Sequence, residues 1–134
     1  IVGNTSILIS RITYIKKSNS KNFIILDAGM NDLMRPALYN AQHEIIPLKK
    51  IGKKIVGNFE FVGPICESTD KFLTKKKFSK IVEGDYVAIT DVGAYGMSLT
   101  SNYNMRPVVA EVLIDSSKHK LIKKRQSLES LLNN

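Results

Sequence analysis

A succession of short apolar, β-branched runs, each stopped by glycine, proline or a lysine-, serine- and asparagine-rich cluster, constrains this chain most. Side chains of a strand alternate between two faces, so a run of a few residues already presents an apolar face. An amphipathic helix needs a longer stretch at a period of about 3.6. Residues 6–15 carry Ile7, Ile9 and Arg11 on one parity, and Lys16-Lys17-Ser18-Asn19-Ser20 follows as a turn by composition. Residues 23–27 read as a buried strand broken by Ala28-Gly29. Residues 31–41 read as a short helical or irregular excursion, with Pro36 tolerated in its first turn. Residues 44–47 are a strand closed by Pro47. Residues 54–62 set Phe59 and Phe61 on one face and Glu60 on the other. Glu83-Gly84-Asp85 is a tight turn before a strand at 86–90, and Gly93-Ala94-Tyr95-Gly96 is a glycine-bracketed loop. Residues 107–114 and 120–124 are the last strands, before a helical turn at 127–132 with Ser127 as its N-cap. The expected fold is mainly β, a Greek-key barrel or sandwich with short helical excursions.

Length and composition narrow the function classes. The 134 residues suffice for one domain and not for two well-buried cores. No apolar run approaches the roughly 18 residues of a membrane span. One cysteine excludes a disulfide framework and a cysteine-rich zinc site and suits a reducing compartment, and two histidines leave little for a metal site. No secretory leader is visible, and the start at Ile1 rather than Met suggests a fragment or processed product.

The charge of +8 invites a nucleic-acid reading, but its distribution weakens it. The excess is mostly lysine, in clusters at Lys49-Lys50, Lys53-Lys54, Lys75-Lys76-Lys77 and 118–125, and three of these are expected to flank turns. Arginine, the commonest reader of base edges, occurs only at Arg11, Arg35, Arg106 and Arg125. No nucleic-acid-binding motif is visible, and a small basic β module binding RNA or single-stranded DNA stays as a rival.

Four loop motifs go further: Asp27-Ala28-Gly29-Met30-Asn31-Asp32, Arg35-Pro36-Ala37-Leu38-Tyr39, Gly63-Pro64-Ile65-Cys66-Glu67-Ser68, and Asp91-Val92-Gly93-Ala94-Tyr95-Gly96 continuing to Ser101-Asn102-Tyr103-Asn104. In this order and spacing the chain, from residue 1 to about 132, resembles the C-terminal β domain of the diaminopimelate decarboxylase family. These are pyridoxal-phosphate enzymes of the alanine-racemase-like class, the group IV decarboxylases. These loops differ in specificity: the second, Arg35-Pro36-Ala37-Leu38-Tyr39, singles out the diaminopimelate branch, while the 63–68 and 93–96 loops are shared in looser form across the class.

The resemblance implies decarboxylation of meso-diaminopimelate to L-lysine and carbon dioxide in the cytoplasm, with pyridoxal phosphate as cofactor. It implies that Arg35 takes the distal carboxylate, that Tyr39 adds a hydroxyl to that contact, and that Glu67 takes the distal ammonium. Cys66 resembles the family's proton donor, and an ordinary thiol, with a pKa of about 8.5, is largely protonated at neutral pH. Tyr95 resembles the tyrosine that touches the cofactor phosphate and borders the substrate, with Gly93 and Gly96 letting the backbone come close. The resemblance also implies a homodimer in which Cys66 and Glu67 reach into the partner's site.

Taken singly, each residue has a plainer reading. Cys66 reads as a small buried hydrophobe, Arg35 as a surface arginine, Tyr39 and Tyr95 as core aromatics, and Glu67 as solvated. His43 reads as a structural hydrogen-bonding histidine, and Asp27 and Asp91 as caps or turn formers. Asn102 and Tyr103 are left at the interface or site rim with no assigned role.

In the family the Schiff-base lysine, the histidine stacked on the ring, the glycine-rich phosphate loop and a Glu-Pro-Gly-Arg segment belong to an N-terminal (β/α)8 barrel. None is matched here. Residues 1–4 are expected to be a remnant of the barrel end and 5–134 the β domain, inactive by itself. The partners expected are the barrel domain and a second copy, with neither nucleic acid nor membrane. The rival within the class is a decarboxylase for ornithine or arginine, which would not need Arg35.

Overall fold

At the middle of the molecule lies β1 (Leu8–Lys17), which pairs antiparallel with β2 (Asn22–Leu26) on one side and with β6 (Tyr86–Ile89) on the other. The structure is a computed structural model and describes residues 2–49 and 54–133. The sheet extends through β3 (Ile45–Pro47), which pairs antiparallel with β6, and through β4 (Lys54–Val62), which pairs parallel with β2. β5 (Lys71–Ser79) completes it antiparallel to β4, giving the order β3-β6-β1-β2-β4-β5. The outermost strands approach each other: Lys75 Nζ on β5 donates to the carbonyl of Ile45 on β3 at 3.0 Å and pairs with Glu44. The sheet is thus nearly closed.

A separate hairpin, β7 (Glu111–Asp115) with β8 (Lys118–Lys123), follows, and two one-turn helices stand outside the sheet, α1 (Arg35–Tyr39) and α2 (Leu128–Leu132). Ser127 caps α2, its Oγ accepting the Ser130 amide at 3.1 Å.

Alternation explains the interior. On β1 the inward parity is Ser10 and Ile12, while Ile9 and Arg11, with Ile7 just before the strand, are exposed. Ile12 joins Ile24, Leu26, Ile45, Phe61, Val87 and Ile89, none more than 1% exposed. The Phe61 and Phe78 rings meet edge to face with centroids 4.8 Å apart, the arrangement that aromatic quadrupoles favour.

Several sequence expectations are corrected. Lys16 and Lys17 belong to β1, pairing with Phe23 and Asn22, so the turn is confined to residues 18–21, where Ser18 N donates to the Lys21 carbonyl at 2.9 Å. Lys75, Lys76 and Lys77 lie within β5, not beside a turn. β5 has one paired neighbour, β4, and solvated lysines suit a strand whose other edge would invite further pairing. Most of the 118–125 cluster is β8 itself. Residues 107–110 stay outside β7, which begins at Glu111. Lys50 and Lys53 fall outside the described residues. Glu60 sits opposite the phenylalanine parity as expected, yet it is buried: its carboxylate takes Lys21 Nζ at 2.7 Å and Lys71 Nζ at 3.4 Å. Those two lysines lower its pKa from the ordinary glutamate value, the Lys21 hydrogen bond contributing most.

Candidate active site

Strand direction gathers the motif loops. β2 and β6 both run opposite to β1, and β4 runs with β2, so β2, β4 and β6 point the same way. Their C-terminal ends share one pole of the sheet. Each is followed there by a motif loop: residues 27–34 leading into α1, residues 63–70, and residues 90–96.

Asp70 ties the first two loops together. Its buried carboxylate accepts the Met30 amide at 2.7 Å and the Ile65 amide at 2.7 Å. Asp32, also buried, closes the turn of the first loop by accepting the Gly29 amide at 2.9 Å and the Asn31 side-chain amide at 3.0 Å. Burial pushes both aspartates above the ordinary carboxylate range, against the opposing pull of their amide donors and of Arg106. Arg106 reaches in from the last motif loop. Its Nε donates to Asn31 Oδ1 at 2.9 Å, its Nη2 donates to the Asp27 carbonyl, and the same nitrogen lies 3.7 Å from the Asp32 carboxylate. The Ser101 amide donates to the Asn31 carbonyl at 3.0 Å. Residues 101–106 are therefore latched to the loop after β2. Tyr103 closes the triangle by donating its hydroxyl to Glu67 Oε1.

Cys66 and Glu67 are both exposed on the loop after β4, and the Cys66 thiol is free. Glu67 also accepts Thr69 Oγ at 3.2 Å. Arg35 opens α1 and is half-buried, and Tyr39 stands one helical turn later, 66% exposed. The helix ends at Asn40 in the left-handed conformation, its amide donating to the Arg35 and Pro36 carbonyls. Tyr95 is 69% exposed, with a left-handed backbone (φ 60°). The plainer readings of Cys66 as a buried hydrophobe and of Tyr39 and Tyr95 as core aromatics therefore fail. Among the described residues no carboxylate pairs with Arg35 and no cation pairs with Glu67.

The two glycines around Tyr95 are needed for packing inside this chain. A Cβ on Gly93 would collide with the Val2 carbonyl, and one on Gly96 with the Val92 carbonyl. His43 is buried and its Nδ1 donates to the Thr90 carbonyl at 2.9 Å, a structural role as expected. Asp27 links β1 to β2 by accepting Ser10 Oγ at 2.6 Å and the Arg11 amide at 2.9 Å. Asp91 accepts Thr90 Oγ at 2.7 Å. Asn102 donates to the Arg106 carbonyl at 2.8 Å. Sequence reasoning missed Asp32, Asp70 and Arg106. Only Asp32 left a local signal, an aspartate three residues after Gly29 able to close the turn onto its amide.

The predicted site residues border neither of two shallow grooves on the described surface. A shallow groove of about 490 Å³ between α1 and β5 is bordered by Pro36, Ala37, Asn40, Thr69 and Phe72. Another of about 740 Å³, bordered by Ile15, Ile55, Phe59 and Val82, belongs to the opposite pole. Among the described residues no cluster of three metal-ligating side chains occurs, and no helix is long and apolar enough to cross a membrane.

Comparison with known proteins adds four findings. Residues 2–93 match the family described as "Pyridoxal-dependent decarboxylase, C-terminal sheet domain". A diaminopimelate decarboxylase of Aquifex aeolicus is 46% identical over 133 residues, covering 98% of this chain and 31% of that protein. The crystal structure of diaminopimelate decarboxylase from Helicobacter pylori complexed with L-lysine superposes with a TM-score of 0.89 at 41% identity, over 98% of this chain and 32% of that one. The arginine decarboxylase of Paramecium bursaria Chlorella virus shares the fold alone, with a TM-score of 0.69 at 14% identity over 77% of this chain and 29% of that one. The chain spans about a third of the length of the curated relatives it matches.

Proposed function

The chain belongs to the pyridoxal-dependent decarboxylases, through their C-terminal sheet domain, and on that premise we propose that it serves an enzyme converting meso-diaminopimelate to L-lysine and carbon dioxide. The observation that carries this reading is a set of exposed or half-exposed groups on one pole: guanidinium, carboxylate, thiol and phenol. The charged pair among them has no counter-ion among the described residues. An amino-acid head carries one carboxylate and one ammonium, and it needs one cation and one anion to receive it. The 41%-identical Helicobacter pylori protein is one that binds L-lysine, which has such a head.

Arg35 offers two parallel N–H donors to the distal carboxylate, and the Tyr39 hydroxyl adds a third. Glu67 receives the distal ammonium. Cys66 holds the proton on Sγ that returns to the substrate carbon after carbon dioxide leaves. Pyridoxal phosphate, when bound, would supply the electron-withdrawing ring that stabilises the electron pair left on the substrate carbon as carbon dioxide departs. The residues here fit one rim of such a site. Tyr95 offers an exposed phenol to a phosphate from a turn that Gly93 and Gly96 keep tight, and none of the four motifs contains a lysine.

Because Tyr39, Cys66, Glu67 and Tyr95 are exposed and Arg35 is only half-buried, a closed site needs further surfaces. We assign these to a barrel domain and to a second copy, with Cys66 and Glu67 of one subunit completing the site that holds Arg35 and Tyr39 of the other. Within this reading residues 5–134 are the sheet domain and residues 1–4 the end of the barrel. The exposed thiol of Cys66 suits a reducing cytoplasm.

The test is a decarboxylation assay of the full-length enzyme on diaminopimelate, ornithine and arginine. Turnover of diaminopimelate is expected to dominate, and Arg35→Met should raise its KM about 30-fold or more, the penalty for stranding a charged partner. Faster turnover of ornithine or arginine would overturn the assignment.

A further inference from the structure

Glu67 is a solvent-exposed carboxylate on a loop, an arrangement that ordinarily lets a side chain wander among rotamers. Here both of its oxygens are engaged. Oε1 receives the Tyr103 hydroxyl, and Oε2 receives Thr69 Oγ at 3.2 Å. We infer that Tyr103, assisted by Thr69, is a positioning residue that holds the Glu67 carboxylate in the orientation that receives the substrate's distal ammonium. The inference rests on the proposed role of Glu67 and goes beyond it by assigning what sets the geometry of that contact.

Two further observations point the same way. Tyr103 is delivered by a built segment. The Ser101 amide is bonded to the Asn31 carbonyl, Asn102 Nδ2 to the Arg106 carbonyl at 2.8 Å and to Gln126 Oε1 at 2.5 Å, and Arg106 to Asn31 at 2.9 Å. The backbone directly after Tyr103 is strained, with Asn104 and Met105 both left-handed at φ 59° and 55°. Consecutive non-glycine residues hold that conformation only where their surroundings over-determine it. The chemistry of the contact is also sound. A carboxylate has about four acceptor positions, so two hydroxyl donors leave room for an ammonium. A phenol is protonated at neutral pH and so available as a donor, and the Glu67 hydrogen bond pushes the Tyr103 phenol further up. A tyrosine has two side-chain torsions, so fixing it costs little entropy.

The experiment measures binding of L-lysine and of 6-aminohexanoate to the full-length holoenzyme by calorimetry. The second ligand keeps the carboxylate and lacks the α-ammonium. Tyr103→Phe should weaken L-lysine about tenfold and leave 6-aminohexanoate unchanged, the loss expected when a carboxylate forfeits one hydrogen bond. Thr69→Val should do the same to a smaller degree. In turnover, Tyr103→Phe should raise KM for diaminopimelate with little change in kcat. Unchanged L-lysine binding in Tyr103→Phe, or equal weakening of both ligands, overturns the inference. Glu67→Gln separates the two levels. If it spares L-lysine, the role of Glu67 itself falls and this inference with it. If it weakens L-lysine while Tyr103→Phe does not, only the positioning role falls.

Discussion

The carboxylate of Asp70 occupies the space that a side chain on Gly63 would fill. A Cβ there would fall well inside contact distance of Oδ1, Oδ2 and Cγ. That carboxylate joins the loops after β2 and β4 through the Met30 and Ile65 amides, and the Gly63 amide donates to the Asp70 carbonyl at 2.9 Å. Gly63→Ala should therefore displace Asp70 and destabilise the fold by about 1–3 kcal/mol, with overpacking and lost amide acceptors as the cause. Urea unfolding of the full-length protein checks this, and a midpoint equal to wild type would contradict it.

Glu60 should make stability sensitive to acid. Its pKa is lowered in the folded chain by Lys21 first, and Lys71 adds to the effect. Its contribution is fully present above the ordinary value of 4.5 and is lost as pH falls through the lowered one. Asp32 and Asp70 act with the opposite sign, since burial raises them and the folded chain keeps their protons longer as pH rises. Glu60→Gln should consequently be less stable than wild type at neutral pH, with the gap shrinking below about pH 4. Unfolding curves for both proteins across that range decide it; a pH-independent gap would contradict it.

Arg106 should be intolerant of loss. Its guanidinium satisfies Asn31 Oδ1 and the Asp27 carbonyl and faces an Asp32 side chain that is only 2% exposed. Arg106→Met leaves that carboxylate buried without its cation, at a cost of about 3–5 kcal/mol. Arg106→Lys should recover part of this, because the charge returns but the planar fork does not. Equal stabilities of the two variants would count against this account.

Subunit complementation should reveal a shared site. Full-length Cys66→Ala and Arg35→Met enzymes should each be nearly inactive on diaminopimelate at modest substrate concentration, and Cys66→Ala should lose about 10²- to 10⁴-fold in kcat. Dissociating and remixing them should restore activity, because a mixed dimer has one site with a native Arg35 and a native Cys66. Mixing without recovery would show that both residues serve the same chain's site.

The 134-residue chain produced by itself should be inactive and should self-associate. Val112, Leu113, Ile114, Leu121 and Ile122 on β7 and β8 are each more than half exposed, as are Ile7 and Ile9. Apolar surface gathered in this way is ordinarily covered. Sedimentation should show concentration-dependent oligomers, and borohydride reduction with pyridoxal phosphate should give no stoichiometric lysyl adduct. A compact monomer at high concentration, or a single modified lysine, would reverse the respective expectation.

Local pattern made much of the fold legible. The alternation in β4, the Glu83-Gly84-Asp85 turn and the Ser127 cap are each decided within a few residues, and each stands where the sequence put it. β5 was hidden because Lys75, Lys76 and Lys77 look like a solvated turn until β4 is seen pairing with them. Glu60 hid its burial in the same way, since its lysine partners come from 39 positions before it and from the start of the next strand. The site divides along the same line. Motif order singles out Arg35, Tyr39, Cys66, Glu67 and Tyr95 as candidates. Asp70, Arg106 and Tyr103 act on residues 40, 75 and 36 positions away, and no local signal marks such contacts.

The common direction of β2, β4 and β6 has a practical side. The hairpin turn at residues 18–21 and the turn at residues 80–85 lie at the far pole, a sheet's length from Cys66, Glu67 and Tyr95. A fluorophore, an affinity tag or a surface tether placed in residues 18–21 would leave the motif loops untouched. The architecture thus provides an attachment point from which the protein can be held or labelled without touching the pole that carries the motif loops.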